Sequence, residues 1–252
     1  MTSKRILVAG ESSIKTVIHQ KGADIFTTTS YGEAVGWLKD ALTAGGWEVD
    51  FLPNHVAATK FPGTAEELSA YDCVILSDIG ANTLLLHPET FSASKITPNR
   101  LAAIRDYVKA GGGLIMVGGY MSFQGIDGKA RYAGTAIEEA LPVTMRTVDD
   151  RVETPEGVIP SVTAKGHPVV QGLEQTWPAL LGYNEVTPKP DVETLVTVGN
   201  HPLIVVHEFE KGRAAAFTSD CGPHWAPPAF VDWKGYAPLW QQLAGWVAGS
   251  EA

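Results

Sequence analysis

The sequence predicts an α/β protein: a doubly wound, mostly parallel sheet with helices on both faces and antiparallel additions in its C-terminal half. Three observations carry this. Short, almost wholly apolar runs at Arg5–Gly10, residues 73–76 and residues 114–117 read as strands buried on both faces. Amphipathic helical stretches lie between them, so strand and helix alternate as in a parallel sheet. Beyond Gly125 that alternation gives way to three strand-like runs at close spacing.

The elements follow in order. Arg5–Gly10 ends in glycine and is the first strand. Residues 11–30 are rich in Ser, Thr and Lys and read as a surface loop, or as a loop lying over a site at the strand end. From Tyr31, the residues Val35, Leu38, Ala41 and Leu42 recur at helical spacing, and Gly45-Gly46 closes that helix. Glu48–Leu52 alternates as a second strand. Thr64-Ala-Glu-Glu has the form of a capping box and starts a short helix. Residues 73–76 are the third strand. Thr97-Pro98-Asn99-Arg100 opens the next helix with Pro98 in its first turn, and Leu101, Ile104, Tyr107 and Val108 form its inner stripe. Residues 114–117 are the fourth strand. Residues 135–140 then read as a short helix, 143–147 as a strand and 153–170 as a run of turns. Residues 192–198, 203–207 and 213–218 read as antiparallel strands at the sheet edge, and Tyr236–Val247 as a closing amphipathic helix. With no repeat and no long linker, residues 1–252 are expected to form a single domain.

Bulk properties narrow the function. With 44% hydrophobic and 19% charged residues the chain has ample material for a core. Its net charge of −9 disfavours nucleic acid and anionic membrane as partners. Cys73 and Cys221 sit in dissimilar contexts, so no disulfide is expected and a reducing compartment fits. No apolar run is long enough for a signal peptide or a membrane span, and a cytoplasmic location is expected. No HExxH, CxxC or Walker-type glycine loop occurs, so neither a metal nor a cofactor is expected from motifs.

Ligands of open parallel sheets bind outside the carboxyl ends of the strands. That rule selects four polar segments: Glu11-Ser12-Ser13, residues 78–82, residues 118–123 and residues 220–225. The last places Asp220, Cys221, His224 and Trp225 within six residues. His224 can activate Cys221 as a nucleophile, or pair with Asp220 for acid–base work or metal binding. The plainer alternative is a Gly-Pro turn capped by Asp220, with Cys221 a small buried hydrophobe. In the glycine turn, Tyr120 can donate to a ligand oxygen or pack over the turn. Gly119 and its neighbours offer backbone N–H groups to an anion, and Ser122 lies alongside. Asp78 and Asn82 either touch ligand or form an Asx turn. Tyr183 and Glu185 follow an apolar run and point toward the same edge, Glu185 as a candidate base.

Residues 118–125, Gly-Gly-Tyr-Met-Ser-Phe-Gln-Gly, resemble the elbow of class I glutamine amidotransferases, Gly-x-Cys-x-Gly-Phe-Gln, with Tyr120 at the cysteine position. Residues 166–173 (Gly-His-Pro-Val-Val-Gln-Gly-Leu) and 212–220 (Gly-Arg-Ala-Ala-Ala-Phe-Thr-Ser-Asp) resemble the ThuA-like branch of the same superfamily. The chain as a whole is similar to glutamine amidotransferase-like cytoplasmic proteins. The resemblance implies a flavodoxin-like fold. It also implies a catalytic cysteine with a late His and Glu. Here the cysteine is missing, and His224 is followed by Trp225-Ala226 in place of His-x-Glu. ThuA relatives are linked to sugar metabolism, which suits a pocket containing Tyr120, Tyr183 and Trp225.

Three functions are therefore expected in competition. The first is a repurposed pocket that binds or transforms a small polar metabolite such as a sugar derivative through Tyr120, Asp220 and His224. The second is glutamine hydrolysis with Cys221 as a relocated nucleophile. The third is a non-catalytic module in which the aromatic stretch 225–233 forms an interface, with a homo-oligomer as one result.

Overall fold

A computed structural model describes residues 4–249; residues 1–3 and 250–252, the ends of the expected single domain, lie outside the described residues. The backbone starts with β1 (Arg5–Gly10), then a hairpin of β2 (Ser12–Lys21) and β3 (Asp24–Glu33). There follow α1 (Gly36–Ala44), β4 (Glu48–Leu52), α2 (Asn54–Lys60), α3 (Ala65–Leu68) and β5 (Cys73–Ser77). Next come α4 (Ala81–Leu85), α5 (Pro88–Ala93), α6 (Arg100–Lys109) and β6 (Gly113–Val117). The second half holds α7 (Ala136–Ala140), β7 (Val143–Met145), β8 (Arg151–Val158), β9 (Pro160–Val162), β10 (Leu180–Asn184) and β11 (Val186–Pro188). It closes with β12 (Glu193–Val198), β13 (His201–Phe209), β14 (Gly212–Phe217), α8 (Pro228–Val231) and α9 (Tyr236–Val247).

The main sheet has eight strands in the order β4-β1-β5-β6-β14-β13-β12-β9. The first five are mutually parallel, and their order is that of a flavodoxin-like sheet. Period-two alternation distributes each central strand between two cores. Ile6, Val8, Ile75, Ile115, Val117 and Phe217 face the layer built on α1 and α9. Leu7, Ala9, Val74, Leu76, Leu114 and Met116 face the layer containing α6 and α7. This two-sided burial is why these strands read as continuous apolar runs.

Several expectations are corrected. β14 is not an edge addition: it pairs parallel with β6 inside the sheet, and only β13, β12 and β9 extend the sheet antiparallel. Chain length alone does not reveal that the chain skips past the antiparallel strands before returning to β6. Residues 11–30 are not a loop but most of the β2–β3 hairpin, whose threonines and isoleucines favour extended backbone. The turn-rich stretch 153–170 contains most of β8 and all of β9. Helix α6 starts at Arg100, one residue past the cap Asn99, whose side chain accepts from the N–H groups of Leu101 and Ala102; Pro98 precedes the cap. The cap at Thr64 is as expected, accepting from the Glu67 N–H at 3.2 Å. No described helix is long and apolar enough to cross a membrane.

Candidate functional site

Three of the four polar segments meet at the carboxyl edge of the parallel strands, and the fourth, at Asp78, braces one of them. Gly10 makes the approach possible: its φ is +117°, and a Cβ there would lie 1.7 Å from the Ser77 carbonyl oxygen. The chain then turns through Glu11, whose carboxyl group is buried and accepts a hydrogen bond from Ser77 Oγ. Ser77 Oγ also lies 3.7 Å from Cys221 Sγ. Glu11, Asp220 and Cys221 bring one potential ligand atom each within 4.8 Å of one another. Burial, then the nearby Asp220 and Asp78, push the Glu11 carboxyl well above the usual carboxylate range. The three groups thus sit together in a buried pocket of their own, bridged by Ser77.

The glycine turn after β6 leads through further turns and a short 3₁₀ helix at Ile126–Gly128, with no α-helix before Ala136. Two of its N–H groups are taken by side chains. Gly119 N–H donates to Asn184 Oδ1 at 2.9 Å and Met121 N–H to Asp78 Oδ1 at 2.7 Å. Asn184 Nδ2 returns a bond to Asp150 Oδ1, and Asp150 also accepts from the N–H groups of Gln124 and Gly125. Gly118 has no room for a Cβ, which would sit 2.3 Å from the Thr218 carbonyl oxygen. The turn is thus clamped by buried side chains, and the expectation of Gly119 as part of an anion cradle is corrected.

Ser122 is buried and accepts from the Asp78 N–H, so it braces the turn. Asp78, at φ +47°, is likewise a brace, its carboxyl raised by burial. Ser12 accepts from the Asn54 N–H and fixes the start of α2. Asn82 is exposed on α4. Tyr183 is buried against His201, and Glu185 pairs with Arg146 at 2.5 Å. Of these, Asp78 is near enough to the remaining cluster for its charge to act on His224.

That cluster is a rim of Tyr120, Glu153, Asp220, His224 and Trp225. His224 Nδ1 lies 3.4 Å from Asp220 Oδ2, with the imidazole half-buried and the carboxylate nearly covered. The Tyr120 ring meets His224 edge-on with centroids 4.4 Å apart, and His224 stacks on Trp225 at 5.3 Å. Glu153 joins the two aromatics: Tyr120 Oη donates to Oε1 and Trp225 Nε1 to Oε2, each at 2.9 Å. The Arg151 guanidinium lies 4.7 Å from the Tyr120 ring centroid. Gly182 seats the indole, since a Cβ there would lie 2.3 Å from Trp225 Nε1. The Asp220 hydrogen bond raises the His224 pKa. Burial, then the Glu153 bond, raises that of Tyr120.

Cys221 does not fit its expected role as nucleophile. It is fully buried, and burial followed by Glu11 and Asp220 pushes its thiol well above the usual range, whereas activation requires a lowered pKa and access. His224 turns to Asp220 instead. Trp225 and Phe230 are also buried, so the aromatic stretch 225–233 packs on its own sheet rather than forming an exposed interface.

Glu153, Asp150 and Asn184 were not singled out as site residues. Arg151 and Glu153 alternate onto one face of β8, a period-two signal masked by Pro155 and Gly157. Asn184 and Asp150 carry no sequence signal, because their partners lie 65 and 25 residues or so away along the chain.

The fold and this edge define an amidotransferase-like α/β protein, and residues 5–249 match the family model described as "Putative glutamine amidotransferase"; the chain belongs to that family. It is similar to two proteins of Salmonella typhimurium described as cytoplasmic, STM3548 and STM1381. Each is 44% identical with a TM-score of 0.93; the match covers 96% of this chain and 98% and 99% of theirs. Their described location is the one expected above for this chain. A structure from Parabacteroides merdae described as a "Putative thua-like protein" matches at 14% identity and a TM-score of 0.59, over 98% of this chain and 90% of its own, and supports the fold alone. No protein of curated function matches the chain.

Proposed function

We propose that this family member binds or transforms a small polar metabolite, such as a sugar derivative, at the Tyr120–His224–Trp225 rim, without a cysteine nucleophile. In this reading Tyr120 stands where the amidotransferase elbow carries its cysteine. The observation that carries the proposal is the His224–Asp220 pair: a half-exposed imidazole held by a nearly covered carboxylate and flanked by two aromatic rings. Its raised pKa keeps the imidazolium through more of the neutral range, which suits a general acid toward a ligand oxygen. Tyr120, with its phenol raised, serves as a neutral hydrogen-bonding group. Glu153 fixes the ring positions, so the rim is held in place before ligand arrives.

Thermal-shift titration with sugars, sugar acids and amino acids including glutamine tests this, with ammonia release from glutamine measured in parallel. The expected result is stabilisation by a sugar-class ligand that His224→Ala loses, and no ammonia. Ammonia release that vanishes in Cys221→Ser, or a ligand response unchanged in His224→Ala, would overturn the proposal.

A further inference from the structure

The β2–β3 hairpin belongs to no larger sheet: each of its strands pairs only with the other. Ten residues per strand at about 3.3 Å each give an arm roughly 33 Å long. β3 is exposed along its whole length, and β2 along nearly all of it. A two-stranded hairpin standing alone in water is marginal, so an arm of this length needs a surface to lie on.

Its register shows which face does so. The opposed pairs Ile14–Tyr31, Thr16–Thr29, Ile18–Thr27 and Gln20–Ile25 share one face, with Tyr31 at its base meeting His55 of the same chain, while Lys15, Val17, His19 and Lys21 take the other, where Phe26 stacks on His19. The first face therefore collects three isoleucines, Ile14, Ile18 and Ile25, at 63%, 71% and 64% exposure. Three highly exposed isoleucines on one face, spaced by the Thr16–Thr29 pair and set beside Gln20, point to an interaction surface.

We infer that this face packs on a second copy of the chain, each arm lying against the body of its partner in a twofold exchange. Area decides the arrangement. One face about 33 Å by 10 Å covers roughly 330 Å². Arm against arm would bury only about 660 Å² in total, short of the ~1,200 Å² at which stable interfaces begin. Two arms, each laid on the partner's body, bury about twice that and reach the threshold. Charge agrees. Lys15, Lys21, Asp24 and Glu33 make residues 12–33 formally neutral, so the chain's net charge of −9 resides elsewhere. The arm thus meets an acidic second copy without like-charge repulsion. A twofold contact also closes on itself and leaves no sticky face free.

Sedimentation equilibrium on the full chain tests the inference, with three proteins compared: wild type, Ile14→Ser/Ile18→Ser/Ile25→Ser, and Val17→Ser on the opposite face. The expected result is a wild-type dimer, a monomeric triple variant with an unchanged far-ultraviolet circular dichroism spectrum, and a dimeric Val17→Ser. Trypsin cleavage at Lys15 and Lys21 gives a second readout. It slows by on the order of tenfold as wild-type protein is concentrated through the dimer range, and does not slow in the triple variant. A wild type that stays monomeric at tens of micromolar, a triple variant that remains dimeric, or equal dissociation by Val17→Ser would each overturn it.

Discussion

Two polar layers share the carboxyl edge of the sheet, and they differ in what water can reach. The inner layer contains Glu11, Ser77 and Cys221, with Asp78, Ser122, Asp150 and Asn184 around the glycine turn. Its carboxyl groups at Glu11, Asp78 and Asp150 are raised by burial, and its hydrogen bonds close on one another. The outer rim of Tyr120, Glu153 and His224 is partly open, with the nearly covered Asp220 and the buried Trp225 beneath it. Both layers contain residue types that catalysis uses. Burial makes the inner set into braces, while partial exposure leaves the outer set able to meet a ligand.

The sharpest way to break this comparison is to remove a brace. Asp150→Ala strips the partner from Gln124 N–H, Gly125 N–H and Asn184 Nδ2 in a buried site. A loss of about 3 kcal/mol or more is expected, read from urea denaturation; a cost below about 1 kcal/mol would deny the inner layer its structural role. On the rim the expectation reverses. His224→Ala should weaken ligand binding by on the order of tenfold while stability moves by no more than about 1 kcal/mol. A large destabilisation with ligand affinity intact would place His224 with the braces.

The pH dependence of stability separates the layers further. The Glu11 carboxyl is raised in the folded chain from its ordinary value of 4.5, so the fold binds that proton more tightly than the unfolded chain does. Its contribution is complete below pH 4.5 and is lost as pH rises toward the folded pKa. The urea midpoint should therefore fall as pH is raised from 4.5 toward neutrality, and Glu11→Gln should flatten that fall. His224 is also raised, from 6.5, so its smaller contribution has the same sign and is lost from pH 6.5 upward. An unchanged slope in Glu11→Gln would show that Glu11 is ionised throughout.

A milder probe is the thiol. With Cys221 buried and its pKa raised, iodoacetamide at neutral pH should modify the native protein at least about tenfold more slowly than free cysteine. Rapid labelling of Cys221 would bring the relocated nucleophile back. Smallest of all, Glu185→Gln removes a surface pair with Arg146 and should shift stability by no more than about 0.5 kcal/mol, with ligand response unchanged. A change in ligand response would return Glu185 to the site.

The contrast between the layers also explains what could be read in advance. Asp220, His224, Trp225 and Tyr120 were legible because strand ends in a parallel sheet attract ligands and these residues sit just beyond them. Ser12, Asp78, Ser122 and Gly119 lie equally near strand ends and were legible as candidates, yet their side chains or N–H groups are used up by Asn54, Met121, Asp78 and Asn184. Those partners come from other parts of the chain, and no local pattern distinguishes a satisfied polar group from a free one. Glu153 was missed for the same reason in reverse: its importance comes from Tyr120 and Trp225, 33 and 72 residues away.

The sequence by itself determined the parallel core, because strands buried on both faces must be continuously apolar. It also determined the cap of α3, which depends on a neighbour three residues away. Tertiary structure alone decided that β14 enters the sheet beside β6, that residues 12–33 stand out as an arm, and that Cys221 is closed to solvent while His224 is not. Each of these rests on which distant segments come together, and burial and pairing across such distances are set only when the whole chain has folded.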